Sequence, residues 1–124
     1  EAGIAASPGL LRGLADHHLA ASLRAMHGDP ARRWTVPELA RRAGLSRSAY
    51  FDRFRDAVGL PPMQYLLGWR MALATDLLAR PELSLAQVAE RVGYGSASAF
   101  STAFTRHVGQ PPSHVARAAT TKAP

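Results

Sequence analysis

The chain has 124 residues, of which 47% are apolar, so it suits one domain or two very small ones with a modest core. The absence of cysteine excludes a disulfide scaffold, a thiolate nucleophile and a sulfur-ligated zinc site, and it fits a reducing, cytoplasmic compartment. No stretch approaches 18 uninterrupted apolar residues, so the sequence predicts no membrane-spanning segment.

The charge balance is strongly basic. Fifteen basic residues against nine acidic ones give a net charge of +6, and 14 of the 15 are Arg. This balance favours an anionic partner, because Arg holds phosphate through a planar fork of donors. The alternative is a composition bias: with 24 Ala, the chain fits a GC-rich genome that encodes Arg wherever a surface needs a cation.

The first segment, residues 1–9, is small and ends in Ser-Pro-Gly, which is typical of a linker. Because the chain begins at Glu1 rather than Met, we expect a fragment preceded by another domain. From Leu10, apolar residues recur at helical spacing as far as Gly28, which predicts a single first helix. Alternating strand patterns are missing from the sequence, so we expect an all-α fold of about seven helices.

The chain contains an internal repeat. Residues 35–62 align almost end to end with residues 84–112. Gly44 matches Gly93 at an offset of 49, whereas Phe54 matches Phe104 at an offset of 50, so the second copy has one extra residue in its turn. Two copies are fewer than a solenoid needs, and they indicate two similar functional units.

Each copy has the pattern of a helix-turn-helix: a capped short helix, a glycine turn and a second helix opening at Ser46 or Ser96. The second helices carry matching core stripes, which are Tyr50, Phe54 and Val58 in the first copy and Phe100, Phe104 and Val108 in the second. Residues displaced from a stripe face outwards and are candidates to contact DNA. These candidates are Arg47, Ser48, Phe51, Asp52 and Arg55 in the first copy, and Ser96, Ala97, Ser98, Ser101, Thr102, Thr105 and Arg106 in the second.

Each candidate also has an ordinary interpretation, since most polar helix faces are simply solvated. Phe51 is a large apolar side chain outside the core stripe, so we expect it to contact either a thymine methyl group or the neighbouring linker helix. Arg42 and Arg91, which end the first helix of each unit, are candidates for a phosphate contact, and the alternative is a solvated cation or an ion pair with a neighbouring Glu.

Between the units, residues 62–80 predict one long helix that is apolar on more than one side. A helix of nineteen residues is roughly 28 Å long, and successive major-groove segments on one face of DNA lie roughly 34 Å apart. A rigid helix of that length can therefore space the two units about one turn of DNA apart. The predicted organisation is therefore a linker at 1–9, a first helix-turn-helix subdomain at 10–60, a linker helix at 61–80, a second subdomain at 81–119 and a disordered tail at 120–124.

With these elements in order, the chain resembles the AraC/XylS family of bacterial transcription regulators over about residues 10–118. The resemblance is carried by GLSRSAYFDRF in the first copy, WRMALATDLL in the linker helix and GYGSASAFSTAF in the second copy. The segments SRSA, PPMQYL and VGYGS are most similar to those of the subgroup that has a cupin-like effector domain N-terminal to the DNA-binding domain. The resemblance implies double-stranded DNA at a promoter and RNA polymerase as partners, with any effector ligand bound by the preceding domain.

The chain also departs from the family pattern. Where the family commonly has Arg on the outward face of its recognition helices, this sequence has Asp52 and Thr102, and it has Thr105 at a frequent Lys position. Val115 and Ala116 replace the usual aromatic-Arg pair near the end. These replacements change the chemistry of the predicted contacts but not their positions.

We found no catalytic or metal-binding pattern. The five histidines form neither an i,i+4 pair nor an HExxH motif, and no serine lies in a GxSxG or phosphate-loop context. The sequence therefore predicts a protein without enzymatic activity, cofactor or metal, which binds a specific double-stranded DNA sequence as part of a transcription regulator. The alternative is a helical protein-interaction domain that uses its Arg residues only for solubility.

Overall fold

The computed structural model describes residues 7–122, and the side chains of residues 7–118. The helices in this range are α1 (Pro8–Ala15), α2 (His17–Gly28), α3 (Val36–Ala43), α4 (Arg47–Val58), α5 (Pro62–Leu78), α6 (Leu85–Arg91), α7 (Ala97–Val108) and α8 (Pro112–Lys122). The predicted all-α class is confirmed, with eight helices and no strand in the described range. No helix among these residues is long and apolar enough to cross a membrane.

The predicted single first helix is wrong, because the chain breaks at Asp16. This residue has an extended backbone (φ −84°, ψ 119°), and its carboxylate accepts hydrogen bonds from the amides of His18 and Leu19. Asp16 therefore ends α1 and caps α2. The apolar spacing continues on both sides of the break, so periodicity alone did not reveal it.

The predicted limits of the terminal segments are also wrong. Ser7 caps α1 by accepting a hydrogen bond from the amide of Leu10, so the segment assigned to a linker already contains the start of a helix at Pro8. At the other end, α8 continues to Lys122, into the predicted disordered tail. Residues 1–6, 123 and 124 lie outside the described residues.

The described residues form two compact units, one ending at Trp69 and the other beginning at Arg70. The boundary therefore lies inside α5, within the segment predicted as a linker helix. That helix ends at Leu78 rather than Arg80. Each unit receives one part of α5 and has its own buried residues.

The core of the first unit is built around aromatic rings of α4 and α5. The Phe54 ring lies 5.7 Å from that of Tyr50 and 5.8 Å from that of Tyr65, and all three side chains are buried. Leu19, Leu23, Met26, Leu39 and Leu66 also belong to this core. The Tyr50 hydroxyl donates to Ser22 Oγ at 3.0 Å, and burial raises the pKa of Tyr50 to about 12.

The core of the second unit follows the same plan with smaller side chains. The Phe100 and Phe104 rings of α7 lie 5.4 Å apart, and the Tyr94 ring lies 5.7 Å from that of Phe100. Val88, Ala89 and Val92 are also buried, as are Met71 and Ala74 of α5. The Phe stripe predicted for α7 therefore faces the interior of its unit, although Val108, its last member, is exposed.

Candidate nucleic-acid interface

The two helix-turn-helix turns have nearly the same hydrogen bonds. Gly44 adopts a left-handed backbone (φ 73°) and donates to the Arg41 carbonyl at 3.1 Å, and Leu45 donates to the Ala40 carbonyl at 3.0 Å. In the second copy, Gly93 (φ 94°) donates to the Glu90 carbonyl at 3.1 Å, and Tyr94 donates to the Ala89 carbonyl at 2.9 Å. Such a φ favours glycine, which has no Cβ to clash with the backbone, and both turns have one.

Both second helices also begin in the same way. Ser46 Oγ accepts from the amide of Ala49 at 3.2 Å, and Ser96 Oγ accepts from the amide of Ala99 at 3.0 Å. Each cap fixes where its helix begins, and packing of the aromatic stripe leaves the opposite face open to solvent. Ser96, predicted as a DNA contact, has its hydroxyl oxygen engaged in this cap.

In the first unit, the exposed face of α4 borders a depression of about 640 Å³. It is lined by four of the predicted contact residues, Arg47, Ser48, Phe51 and Asp52, together with Ser46, Val36 and Pro37. Phe51 is half-buried, and the other three are exposed. Sequence reasoning missed Val36 and Pro37.

Arg55, the fifth candidate of the first unit, is held by its own helix. Its guanidinium lies 3.5 Å from the carboxylate of Asp52 and 3.7 Å from that of Asp56, and its Cζ lies 5.7 Å from the centroid of the Phe51 ring. Arg47 differs, because no partner for its side chain is found among the described residues. Arg47 is therefore the cation on this face that is most available to an external anion.

In the second unit, the exposed face of α7 is lined with small hydroxyl side chains. Thr102 Oγ1 donates to the Ser98 carbonyl at 3.1 Å, and Thr105 Oγ1 donates to the Ser101 carbonyl at 2.8 Å. Both hydroxyls thus use their proton within the helix and keep lone pairs for an external donor. Ala97 and Ser101 are half-buried, whereas Ser98, Thr102, Thr105 and Arg106 are exposed.

The recognition helix of the first unit is braced by residues that sequence reasoning did not single out. Arg53 Nε donates to Asp16 Oδ2 at 2.7 Å, which ties α4 to the junction of α1 and α2. A ring nitrogen of His18 lies 2.9 Å from the carbonyl oxygen of Ala43, at the end of α3. Burial alone would raise the pKa of Asp16, but the hydrogen bonds from Arg53 and from two backbone amides hold it below its usual value.

Two capped helix pairs with equivalent turns, each exposing a polar face on its second helix, define a protein with two helix-turn-helix units. A family model described as a helix-turn-helix domain matches residues 39–118. The DNA-binding domain of AdpA, a global transcriptional factor solved in complex with a target DNA, superposes with a TM-score of 0.76. It is 31% identical to this chain and covers 83% of it, and 93% of that domain is matched.

Two curated relatives extend the comparison. A protein of Streptomyces lividans named as an AraC-like transcription regulator is 49% identical over 104 residues, or 84% of this chain. The HTH-type transcriptional regulator AlkR of Acinetobacter baylyi is 39% identical over 104 residues, also 84% of this chain. The chain belongs to the AraC family of helix-turn-helix DNA-binding domains. It spans 34% of the length of each of these two relatives.

Proposed function

We propose that this chain binds a specific double-stranded DNA sequence as part of a bacterial transcription regulator, with α4 and α7 each entering a major groove. The observation that carries the proposal is the repeated turn, which gives both helices a buried aromatic stripe and an exposed polar face. In this docking mode, residues near the start of the second helix meet base edges. Arg47 and Ser48, beside the depression, and Ser98 in the second unit have this position.

The contacts proposed for α4 differ in chemistry along the helix. Arg47 has the donors to hold guanine in a bidentate way or to bind a phosphate, and Asp52 accepts from the amino group of cytosine. Phe51, half-buried at the edge of the depression, offers an apolar surface to a thymine methyl group. Arg55 contributes less, because Asp52 and Asp56 already offset its charge.

The contacts proposed for α7 are less selective. A hydroxyl that is free to donate bonds to several base edges and to phosphates, whereas Thr102 and Thr105 have committed their protons to their own helix and can only accept, for example from a base amino group. Ser96, Ala97, Ser98 and Ser101 complete this face, and Arg106 adds the cation. This unit positions the protein on DNA more than it selects the sequence.

The remaining features of the regulator follow from the family resemblance. They are a cupin-like effector domain preceding this chain, an effector ligand bound by that domain, contact with RNA polymerase, a cytoplasmic location and the absence of enzymatic activity. The relatives' names support the last point, because all three are named as transcription regulators or factors.

The test is a selection from randomised duplexes, followed by titration of the selected site. We expect a contiguous, asymmetric site of roughly 20 bp, since both recognition helices belong to one chain. Ser48→Glu and Thr102→Glu each add a negative charge to a proposed DNA-facing surface and abolish binding. Gln64→Glu, which adds the same charge to an exposed position of α5, is the matched control and retains it. Selection without enrichment, combined with capture of a protein partner, would instead support the protein-interaction alternative.

A further inference from the structure

Trp34, in the connection between α2 and α3, holds two arginines from different segments. The indole is buried, with 4% of its surface exposed, and its Nε1 donates to the Asp29 carbonyl at 2.9 Å. The Cζ atom of Arg32 lies 4.4 Å from the ring centroid, and that of Arg42 lies 5.1 Å from it. Since the ring is fixed by burial and by its hydrogen bond, it restrains both cations in a defined place.

This arrangement concentrates positive charge. Arg33 follows Arg32 in the chain and is exposed, as is Arg42, whereas Glu38 forms an ion pair with Arg32. We call these five residues, Trp34, Arg32, Arg33, Glu38 and Arg42, the Trp34 collar. With three arginines and one glutamate it has a net positive charge, and an anion placed beside it would relieve the repulsion between its cations.

The collar adjoins the surface proposed to read DNA. Val36 and Pro37, two and three residues after Trp34, line the depression that Arg47, Ser48 and Phe51 of α4 also line. When the second helix of such a motif enters the groove, the first helix crosses the sugar-phosphate backbone. The collar is attached to both ends of that first helix, through Trp34 before its start and Arg42 in its last turn.

We propose that the Trp34 collar is a phosphate clamp, in which Arg42, positioned by Trp34, binds a backbone phosphate beside the groove entered by α4. This proposal rests on the proposed DNA-binding function and adds a contact outside the recognition helix. Arg42 is the phosphate-binding residue, and Trp34 is a positioning residue. Such a contact carries no base preference, so it increases affinity for every DNA sequence.

The internal repeat supplies a natural comparison. In register, Arg42 matches Arg91, but Trp34 matches Leu83 and Arg33 matches Glu82. The second copy therefore has the arginine without the aromatic platform, and an acidic residue in place of one of the cations. The clamp belongs to the first unit alone.

The test is the salt dependence of binding to a labelled duplex of mixed sequence, about 30 bp long. The plot of log Kobs against log salt has a negative slope, and losing one phosphate contact lowers the magnitude of that slope by about 0.9. For Arg42→Ala, the ratio of Kd values at 200 and 50 mM salt should therefore fall about 3.5-fold. Trp34→Leu should lower the slope equally, whereas Trp34→Phe, which keeps an aromatic face, should retain it.

A double-mutant comparison separates positioning from a general loss of charge. In the Trp34→Leu background, Arg42→Ala should lower the slope no further. Arg91→Ala is the matched control, and its effect should be the same in the wild-type and Trp34→Leu backgrounds. Arg42→Ala alters only an exposed side chain, so it tests the clamp even where Trp34→Leu destabilises the fold.

Three results would contradict these proposals in distinguishable ways. A wild-type slope for Arg42→Ala would overturn the clamp, and an equal effect of Arg42→Ala in both backgrounds would overturn its positioning by Trp34. A wild-type chain that binds no DNA at low salt would instead overturn the proposed function itself.

Discussion

Alanine substitutions at two phenylalanines of α4, Phe51 and Phe54, should have different effects on stability and on DNA binding. The Phe54 ring is fully buried between those of Tyr50 and Tyr65, so Phe54→Ala removes the centre of an aromatic cluster. A buried Phe removes roughly 150 Å² or more from water, and its truncation costs about 3 to 5 kcal/mol of unfolding free energy. A domain of this size has only about 5 to 15 kcal/mol in total, so the variant should be largely unfolded at moderate urea concentrations.

Phe51→Ala is the matched control, because it makes the same change outside the core. Phe51 is half-buried, and its ring contact with Arg55 is an exposed cation–π pair worth about 0.5 to 1 kcal/mol. Urea unfolding followed by far-UV circular dichroism should give nearly the wild-type midpoint for Phe51→Ala and a strongly lowered one for Phe54→Ala. Titration with DNA should show weakened binding by the folded Phe51→Ala variant. Equal midpoints for the two variants would refute the assignment of the buried face.

Gly9→Ala should lower the melting temperature, because a Cβ at Gly9 would overlap the carbonyl oxygen of Val58 where α1 crosses α4; an unchanged melting curve would contradict this packing. Arg47→Ala should weaken binding to the selected site by about 1 to 3 kcal/mol in a fluorescence titration, and no loss would exclude Arg47 from the interface. Thr102→Arg should tighten binding to nonspecific DNA, which a duplex of unrelated sequence would reveal. Asp16→Asn should be less stable than wild type at pH 7. The pKa of Asp16 is lowered in the folded chain, so its ionised carboxylate stabilises the fold at pH values above the ordinary pKa of 3.8. The difference in stability should shrink as the pH falls below 3.8, and a constant difference would exclude the ionised carboxylate as its source.

The sequence predicted the features that depend on local chemistry. Helical spacing identified the stripe of Tyr50 and Phe54, and the glycines at 44 and 93 marked the turns, because a left-handed backbone restricts the choice of residue. The pairing of the two copies then located both recognition helices. Four of the five predicted contact residues of α4 are exposed for the same reason, and the fifth, Phe51, is half-buried.

The features that sequence reasoning missed depend on which side-chain contacts form in the folded chain, both between neighbouring and between distant residues. Asp16 ends one helix and begins the next because its carboxylate meets two amides and the guanidinium of Arg53, which lies 37 residues away. Asp is a common capping residue, but the continuous apolar spacing on both sides of Asp16 favoured one helix over two. The pairing of Arg55 with Asp52 and the two cations on Trp34 likewise depend on side-chain positions that only the folded chain defines.

The two recognition helices have matching boundaries. Each follows a capping serine, runs for 12 residues and ends at a glycine, at Ser46 to Gly59 and at Ser96 to Gly109. The extra residue of the second turn, Gly95, lies before the cap and so outside this segment. The segments are therefore equal in length but not interchangeable, because the Tyr50 hydroxyl of α4 donates to Ser22 and Arg53 donates to Asp16, whereas Phe100 and Ala103 stand at those positions of α7. A chain with α7 transplanted into the first unit would keep both helix ends but leave Ser22 and Asp16 without these two donors.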